Sequence, residues 1–227
     1  MDCVCSRCAS RAWGHGHDAE RQEKAHVHYS DFTPDQRFIV TVDLGTDQLT
    51  IYKRLNGQLQ QCHVCTFDPG TGPRHLVFHP TAPFAYVLSE LSSEIITLRL
   101  DSEKGSFSTV QTVSSLPEHY HSHNQGGAIK RSADGRFLYV SNRGHNSIGI
   151  YRVDDAKGTL QAVDFCSSGG EWPRDFELDP SGEFLIVANQ NSSNLVLFQR
   201  NVETGLLTDL QHSIAVPNPV CVKFLHQ

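Results

Sequence analysis

The sequence predicts an all-β chain built as a β-propeller, a ring of four-stranded blades around a central channel. Three observations carry that prediction. One pattern recurs four times, its spacing is that of a blade, and short strand-like runs punctuated by turn residues fill the intervals. The pattern is a small turn, an aromatic residue and a run of strand formers. It reads Pro34-Asp-Gln-Arg-Phe38-Ile-Val-Thr-Val, Pro80-Thr-Ala-Pro-Phe84-Ala-Tyr-Val-Leu, Ala133-Asp-Gly-Arg-Phe137-Leu-Tyr-Val-Ser and Pro180-Ser-Gly-Glu-Phe184-Leu-Ile-Val-Ala. The four phenylalanines stand 46, 53 and 47 residues apart, close to the blade period of about 40–50 residues.

The second unit shows how each interval fills. Arg74–Phe78 reads as strand A, Phe84–Leu88 as B, Ile95–Leu100 as C and Phe107–Val113 as D, with a tight hairpin between A and B. Between C and D, three units share an acidic or amide start and a glycine end: Asp101 to Gly105, Asp154 to Gly158 and Asn201 to Gly205. A turn that needs a positive φ would select that glycine. A β-sandwich with even strand spacing is the competing architecture, but it gives no reason for the same residue types at the same offsets. No stretch has a convincing helical period. Pro219–Phe224 lines up with Pro73–Phe78, so the pattern predicts four complete blades plus one strand of a fifth, a partial seven-bladed ring. The open edges that such a chain would present are expected to promote self-association.

Composition narrows the partners. Of 227 residues, 19 are Lys or Arg and 25 are Asp or Glu, a net charge of −6, so no basic field is available for nucleic acid. No apolar run approaches the ~20 residues that span a bilayer, and the start lacks the apolar core of a signal peptide, so a cytoplasmic location is expected and no membrane partner. The cysteine count of seven is odd, and Cys62, Cys65, Cys166 and Cys221 are scattered through strand-like runs, which favours reduced thiols. Cys3, Cys5, Cys8, His15 and His17 crowd the head of the chain as potential zinc ligands, yet no second ligand pair stands at structural-site spacing. Residues 1–19 therefore read as a disordered or non-native leader and 20–227 as the partial propeller, with packed structure beginning near Ala25. No metal or other cofactor is expected.

Propeller topology brings the start of strand A and the end of strand B to one mouth of the channel. Ten residues before the repeat phenylalanines stand His28, Arg74, Gly127 and Arg174; six residues after them stand Leu44, Glu90, Arg143 and Gln190. A charged strand end is ordinary when taken alone. Three arginines, a glutamate and a histidine at equivalent rim positions are what a site for an anionic substrate needs, because guanidinium groups bind carboxylate or phosphate while His and Glu move protons. The stretch Glu118-His-Tyr-His-Ser-His123 accounts for the long interval and reads as a lid or as a solvated loop. His79 and Asp179 read as turn residues bonded to backbone.

At this point the residues resemble a known family. Gly72-Pro-Arg-His-Leu-Val-Phe-His-Pro80, His26-Val-His28, Asp134-Gly-Arg-Phe-Leu-Tyr-Val-Ser-Asn-Arg143, and Pro173-Arg174 with Ala188-Asn-Gln190 look like the 6-phosphogluconolactonase family of the bacterial propeller type, which includes the fungal carboxymuconate-lactonizing enzymes. The resemblance runs from about Glu20 to Phe224. It implies a seven-bladed propeller that works on a lactone without a metal, in the sugar metabolism of the pentose phosphate pathway. It also implies a catalytic histidine at His28, anion-binding arginines at Arg74 and Arg143, a catalytic glutamate at Glu90, and a small anionic sugar lactone as ligand. About three N-terminal blades of the family pattern have no counterpart in this sequence. Two function classes follow: a lactone hydrolase with His28, Glu90, Arg74 and Arg143 as catalytic residues and Arg174 and Gln190 lining the substrate site, or a non-catalytic propeller fragment acting as a binding or interaction module.

Overall fold

A run of strand formers becomes buried on both sides when it has a blade on each side of it, and on one side when it has one neighbour. The computed structural model, which describes residues 14–225, shows both cases. The first blade comprises β1 (Val27–Phe32), β2 (Phe38–Asp43), β3 (Gln48–Leu55) and β4 (Gln58–Thr66). The second comprises β5 (Pro73–Phe78), β6 (Phe84–Ser89), β7 (Glu94–Asp101) and β8 (Ser106–Ser114). The third runs through β9 (Gln125–Arg131), β10 (Phe137–Arg143), β11 (Ser147–Val153) and β12 (Leu160–Ser167), and the fourth through β13 (Pro173–Leu178), β14 (Phe184–Asn189), β15 (Asn194–Arg200) and β16 (Leu207–Ala215). Each blade is an antiparallel sheet in sequence order, and among the described residues there is no helix. β6 and β10, flanked by blades on both faces, are buried at every position. β2, with one neighbouring blade, alternates buried and half-buried residues, the period of two that a one-sided sheet imposes.

The core lies between blades rather than within them. Val40, Leu49 and Ile51 of the first blade pack on Leu76, Val87 and Leu98 of the second; Tyr86, Leu88 and Ile95 meet Ile129, Leu138 and Val140; Tyr139, Ile148 and Ile150 meet Phe176, Leu185 and Phe198. The repeat phenylalanine has a specific place in this stack. The glycines that close the C–D turns take φ of +62° at Gly105, +71° at Gly158 and +78° at Gly205. Each lies on the phenylalanine ring of the preceding blade: Gly105 on Phe38, Gly158 on Phe84 and Gly205 on Phe137. Those three rings are at most 3% exposed, a burial worth roughly 1.5–3 kcal/mol for each. Phe184, with no following turn upon it among the described residues, is half-buried.

Two expectations change. Pro219–Phe224 does not form a strand, because strand geometry depends on a backbone ladder and none of the described residues supplies a second strand there. That segment is held by side chains instead: the Val222 amide donates to Asp175 Oδ2 at 2.9 Å and Lys223 Nζ to Glu177 at 2.8 Å. Packed structure also begins ahead of Ala25. The Gly16 amide donates to the Gln22 carbonyl, and Gln22, fully buried, donates through Nε2 to the Leu44 carbonyl and to Asp47 Oδ1, both at 2.8 Å. Residues 1–13 of the expected leader, including Cys3, Cys5 and Cys8, lie outside the described residues. Cys62, Cys65, Cys166 and Cys221 are free thiols.

The turn glycines yield a paired test. Gly57, in the Asn-Gly hairpin between β3 and β4, has φ +78° with nothing near the site of an added Cβ, whereas an added Cβ at Gly158 meets the Phe84 ring. Gly57→Ala is expected to destabilise by about 1 kcal/mol, the backbone term alone, and Gly158→Ala by about 2–4 kcal/mol. Urea unfolding midpoints at constant slope measure both; equal losses would contradict the interblade role of the glycine.

Candidate active site

The rim positions owe their direction to a recurring β-bulge. In the first, second and fourth blades the A–B ladder skips one residue of strand A: pairing passes from Val27 to Tyr29, from Pro73 to His75 and from Pro173 to Asp175. The residues skipped are His28, Arg74 and Arg174. In the third blade Gly127 and Ala128 together face Ser141. An extra residue in one strand bends it and re-aims a side chain, so the same local defect turns three polar residues out of the alternation. Ladder ends then set the partners, since strand A begins where strand B ends, as in the pairs Pro73 with Ser89 and Gln125 with Arg143.

Glu90 is the centre of the arrangement. It follows the last residue of β6, its amide donating to the Gly72 carbonyl at 2.7 Å and its carbonyl accepting from the Gly126 amide at 3.0 Å, which pins it across the second and third blades. Its side chain is 1% exposed. Oε2 accepts from Arg74 Nε at 3.0 Å and lies 2.8 Å from Arg143 Nη2; Oε1 accepts from Arg21 Nη2. Arg143 Nη2 also donates to the Gly126 carbonyl at 2.6 Å, and Arg74 Nη1 to the Gly127 carbonyl. Glycine at both positions is a matter of space, because a Cβ on Gly126 would run into the Ser89 carbonyl and one on Gly127 into Ser141 Oγ and the Pro173 carbonyl.

The charges follow from this packing. Burial alone would raise the Glu90 carboxyl, but the charge of Arg143 and hydrogen bonds from Arg21 and Arg143 overcome it and hold Glu90 below the usual carboxylate range. Burial, then the charge of Arg143, brings Arg74 down to about 10, so it stays a cation at neutral pH. Arg143 is lowered by burial and supported by Glu90, and its guanidinium lies 5.5 Å over the Trp172 ring, a favourable cation–π placement.

His28 joins this cluster through His75. The two rings stand edge to face with centroids 5.1 Å apart, and Arg74 Nη1 lies 3.0 Å from His75 Nε2. Loss of solvent on the packed side of the ring, followed by the charge of Arg74, brings the His28 imidazole down to about 4; the same two causes bring half-buried His75 to about 2. Both are neutral bases at ordinary pH, and His28 is the one exposed to solvent. Arg174 is half-buried, with its positive charge acting on His28, Arg74 and Arg143. The Gln190 amide donates to the Trp172 carbonyl at 3.0 Å, and its buried Oε1 and Arg143 Nε have no partner among the described residues. The structure thus brings Arg74, Glu90 and Arg143 into direct contact and sets His28 beside them, while the side chains of Arg174 and Gln190 make no hydrogen bond or ion pair with that cluster among the described residues.

Arg21, His75 and Trp172 are participants that the repeat offsets miss. Arg21 precedes the first blade and has no equivalent to compare. His75 is adjacent to a predicted residue but is shifted in phase by the bulge. Trp172 precedes its strand, and its only signal is proximity to Arg174. The histidine loop behaves as a solvated segment: His119, His121 and His123 are exposed while Tyr120 packs on His145. His79 accepts from the Thr81 and Ala82 amides, and Asp179 from the Ser181 and Phe184 amides. Among the described residues no group of three or more His, Cys, Asp and Glu is placed to hold a metal ion.

Glu90 yields a stability prediction. A carboxylate with a lowered folded pKa stabilises fully above its unfolded value and loses that contribution as pH falls through the folded value. The wild type should therefore weaken on acidification below the ordinary carboxylate range. Glu90→Gln, which strands two buried guanidinium groups, should lower stability by about 3–5 kcal/mol near neutral pH, with the gap narrowing in acid. Denaturant titrations across pH measure this; a gap independent of pH would refute the charge assignment.

Comparison with known proteins identifies the family and the fold. Residues 7–224 match the family described as lactonase, 7-bladed beta-propeller. A 6-phosphogluconolactonase of Bacillus subtilis (strain 168) is 49% identical over 208 residues, covering 92% of this chain and 60% of the relative. Among solved structures, a Lactobacillus plantarum protein superposes with a TM-score of 0.90 at 42% identity, covering 94% of this chain and 62% of the other. The periplasmic gluconolactonase PpgL of Pseudomonas aeruginosa does so with a TM-score of 0.85 at 33% identity, covering 95% and 62%. The chain thus spans about 60% of the length of the relatives it matches. The family match over residues 7–224 and the 49% identity to the Bacillus subtilis relative place this chain in the lactonase family of seven-bladed β-propellers.

Proposed function

We propose that the site hydrolyses the ester bond of an anionic sugar lactone, with 6-phosphogluconolactone as the leading substrate. The observation that carries this reading is the buried Glu90 carboxylate surrounded by three guanidinium groups beside a neutral, solvent-facing imidazole. Three cations around one carboxylate leave a net positive site, which suits a substrate that brings negative charge and develops more at its carbonyl oxygen. The name of the Bacillus subtilis relative supports the choice of lactone.

Roles follow from exposure. Glu90 is enclosed, with both oxygens ion-paired, so its work is to hold Arg74 and Arg143 in place. His28 is neutral and reachable by water, which makes it the general base. Water attacks the lactone carbonyl carbon as the His28 imidazole takes its proton. The carbonyl oxygen becomes an oxyanion facing Arg74 and Arg143. Collapse breaks the bond to the ring oxygen, which leaves with the proton that His28 returns, and the product is the open-chain acid. Arg174 and Gln190 line the side of the site remote from the reacting carbon.

Release of acid from 6-phosphogluconolactone above the spontaneous rate tests the reading. Arg74→Ala should lower kcat/KM about a hundredfold, on the order of 3 kcal/mol of transition-state stabilisation, and Glu90→Gln should lower kcat more than it raises KM. Because the His28 imidazole is lowered to about 4, it is unprotonated above that value; the rate should hold level on acidification from neutrality and fall only as pH approaches it. A fall centred near the ordinary histidine value, or unchanged hydrolysis in both variants, would refute the mechanism. A chain that binds the product 6-phosphogluconate but never turns over the lactone would instead support a binding module.

A further inference from the structure

The three guanidinium groups on Glu90 are not equivalent. Arg74 and Arg143 are 3% exposed and are held twice over, each bonded to Glu90 and to a glycine carbonyl of β9. Arg21 is 47% exposed and reaches Glu90 through one nitrogen, Nη2 on Oε1. Its backbone is nevertheless fixed: Asp18 Oδ1 accepts the Arg21 amide at 2.9 Å, and the next residue is the fully buried Gln22, locked to Leu44 and Asp47. A rigid base thus carries a long, half-solvated cation over the mouth.

We infer that Arg21 is the specificity arm of the site, leaving Glu90 Oε1 to take the phosphate of an incoming sugar lactone while Arg74 and Arg143 stay in place. This rests on the lactonase reading above. Exchange is undemanding because one anion replaces another as partner of the same guanidinium, and a phosphate offers it two oxygens in a bidentate match. Three arginines on one glutamate, with the charge of Arg174 close by, leave an excess of positive charge that a phosphate monoester dianion offsets and a neutral sugar lactone does not. The exchange also frees Oε1, the carboxylate oxygen that Arg74 and Arg143 do not use, to accept a hydroxyl of the bound sugar. Arg21 therefore sets preference for phosphorylated over unphosphorylated lactone, and its loss falls harder on the phosphorylated member of the pair.

The test compares wild type, Arg21→Gln and Arg21→Lys in two assays: calorimetric binding of 6-phosphogluconate and gluconate, and kcat/KM for the two corresponding lactones. The wild type should prefer the phosphorylated member of each pair by about tenfold or more, the effect of one charge-assisted bidentate contact. Arg21→Gln should bring both preferences close to unity, with the loss falling mainly on 6-phosphogluconate and its lactone, and Arg21→Lys should restore part of the preference. An undiminished preference in Arg21→Gln overturns the inference, as does an equal loss for both ligands, which would mark a structural role. A wild type that hydrolyses lactones without preference overturns it while leaving the lactonase reading standing. A wild type that hydrolyses neither lactone yet binds 6-phosphogluconate through Arg21 overturns the lactonase reading and supports the arm.

Discussion

A carboxylate withdrawn from water must be neutralised where it stands, and Glu90 meets that condition with residues from three parts of the chain. Arg74 comes from the bulge of the second blade, Arg143 from the end of a strand in the third, and Arg21 from the segment ahead of the first. Removing the carboxylate leaves Arg74 and Arg143 as unpaired cations at low exposure, where electrostatic terms are large and poorly screened. The blades meet here through charge as much as through apolar packing, so the orientation of the site and the alignment of the blades are one constraint. The Gly126 and Gly127 carbonyls complete it by accepting the guanidinium protons that Glu90 does not.

The rest of the architecture keeps that meeting point in register. Each interblade layer is closed at one end by a turn glycine seated on the preceding phenylalanine and filled between by branched aliphatic and aromatic side chains. The A–B bulge at the other end turns a residue toward the mouth in the first, second and fourth blades. Stability and site geometry are therefore separated along the same strands: phenylalanine and glycine serve the stack at one end, while the bulged residue carries polar chemistry at the other.

Much of this was legible in the sequence, for a physical reason. Blades repeat, so residues at equal offsets from Phe38, Phe84, Phe137 and Phe184 have equal environments, and His28, Arg74, Glu90 and Arg143 could be grouped without knowing any coordinate. Strand limits in the second blade follow from turn residues to within a residue. What does not repeat was hidden. Arg21 belongs to no blade, so no offset points to it. The bulge changes the phase of the ladder without changing the spacing of the pattern, which kept His75 from view. The strand expected at Pro219–Phe224 shows the converse limit: local pattern matches that of Pro73–Phe78, but pairing is a property of two segments, and side-chain bonds to Asp175 and Glu177 hold it instead.

The central claim is that Glu90 is an enclosed anion held ionised by its arginines. The most direct test is to follow the 13C resonance of its side-chain carboxyl through a pH titration in the intact chain. The account predicts a transition well below the ordinary glutamate value of about 4.3, moving upward when Arg21 is replaced by Gln. A transition at or above the ordinary value, unaffected by Arg21, would show that burial rather than the arginine shell governs the group, and would contradict the account.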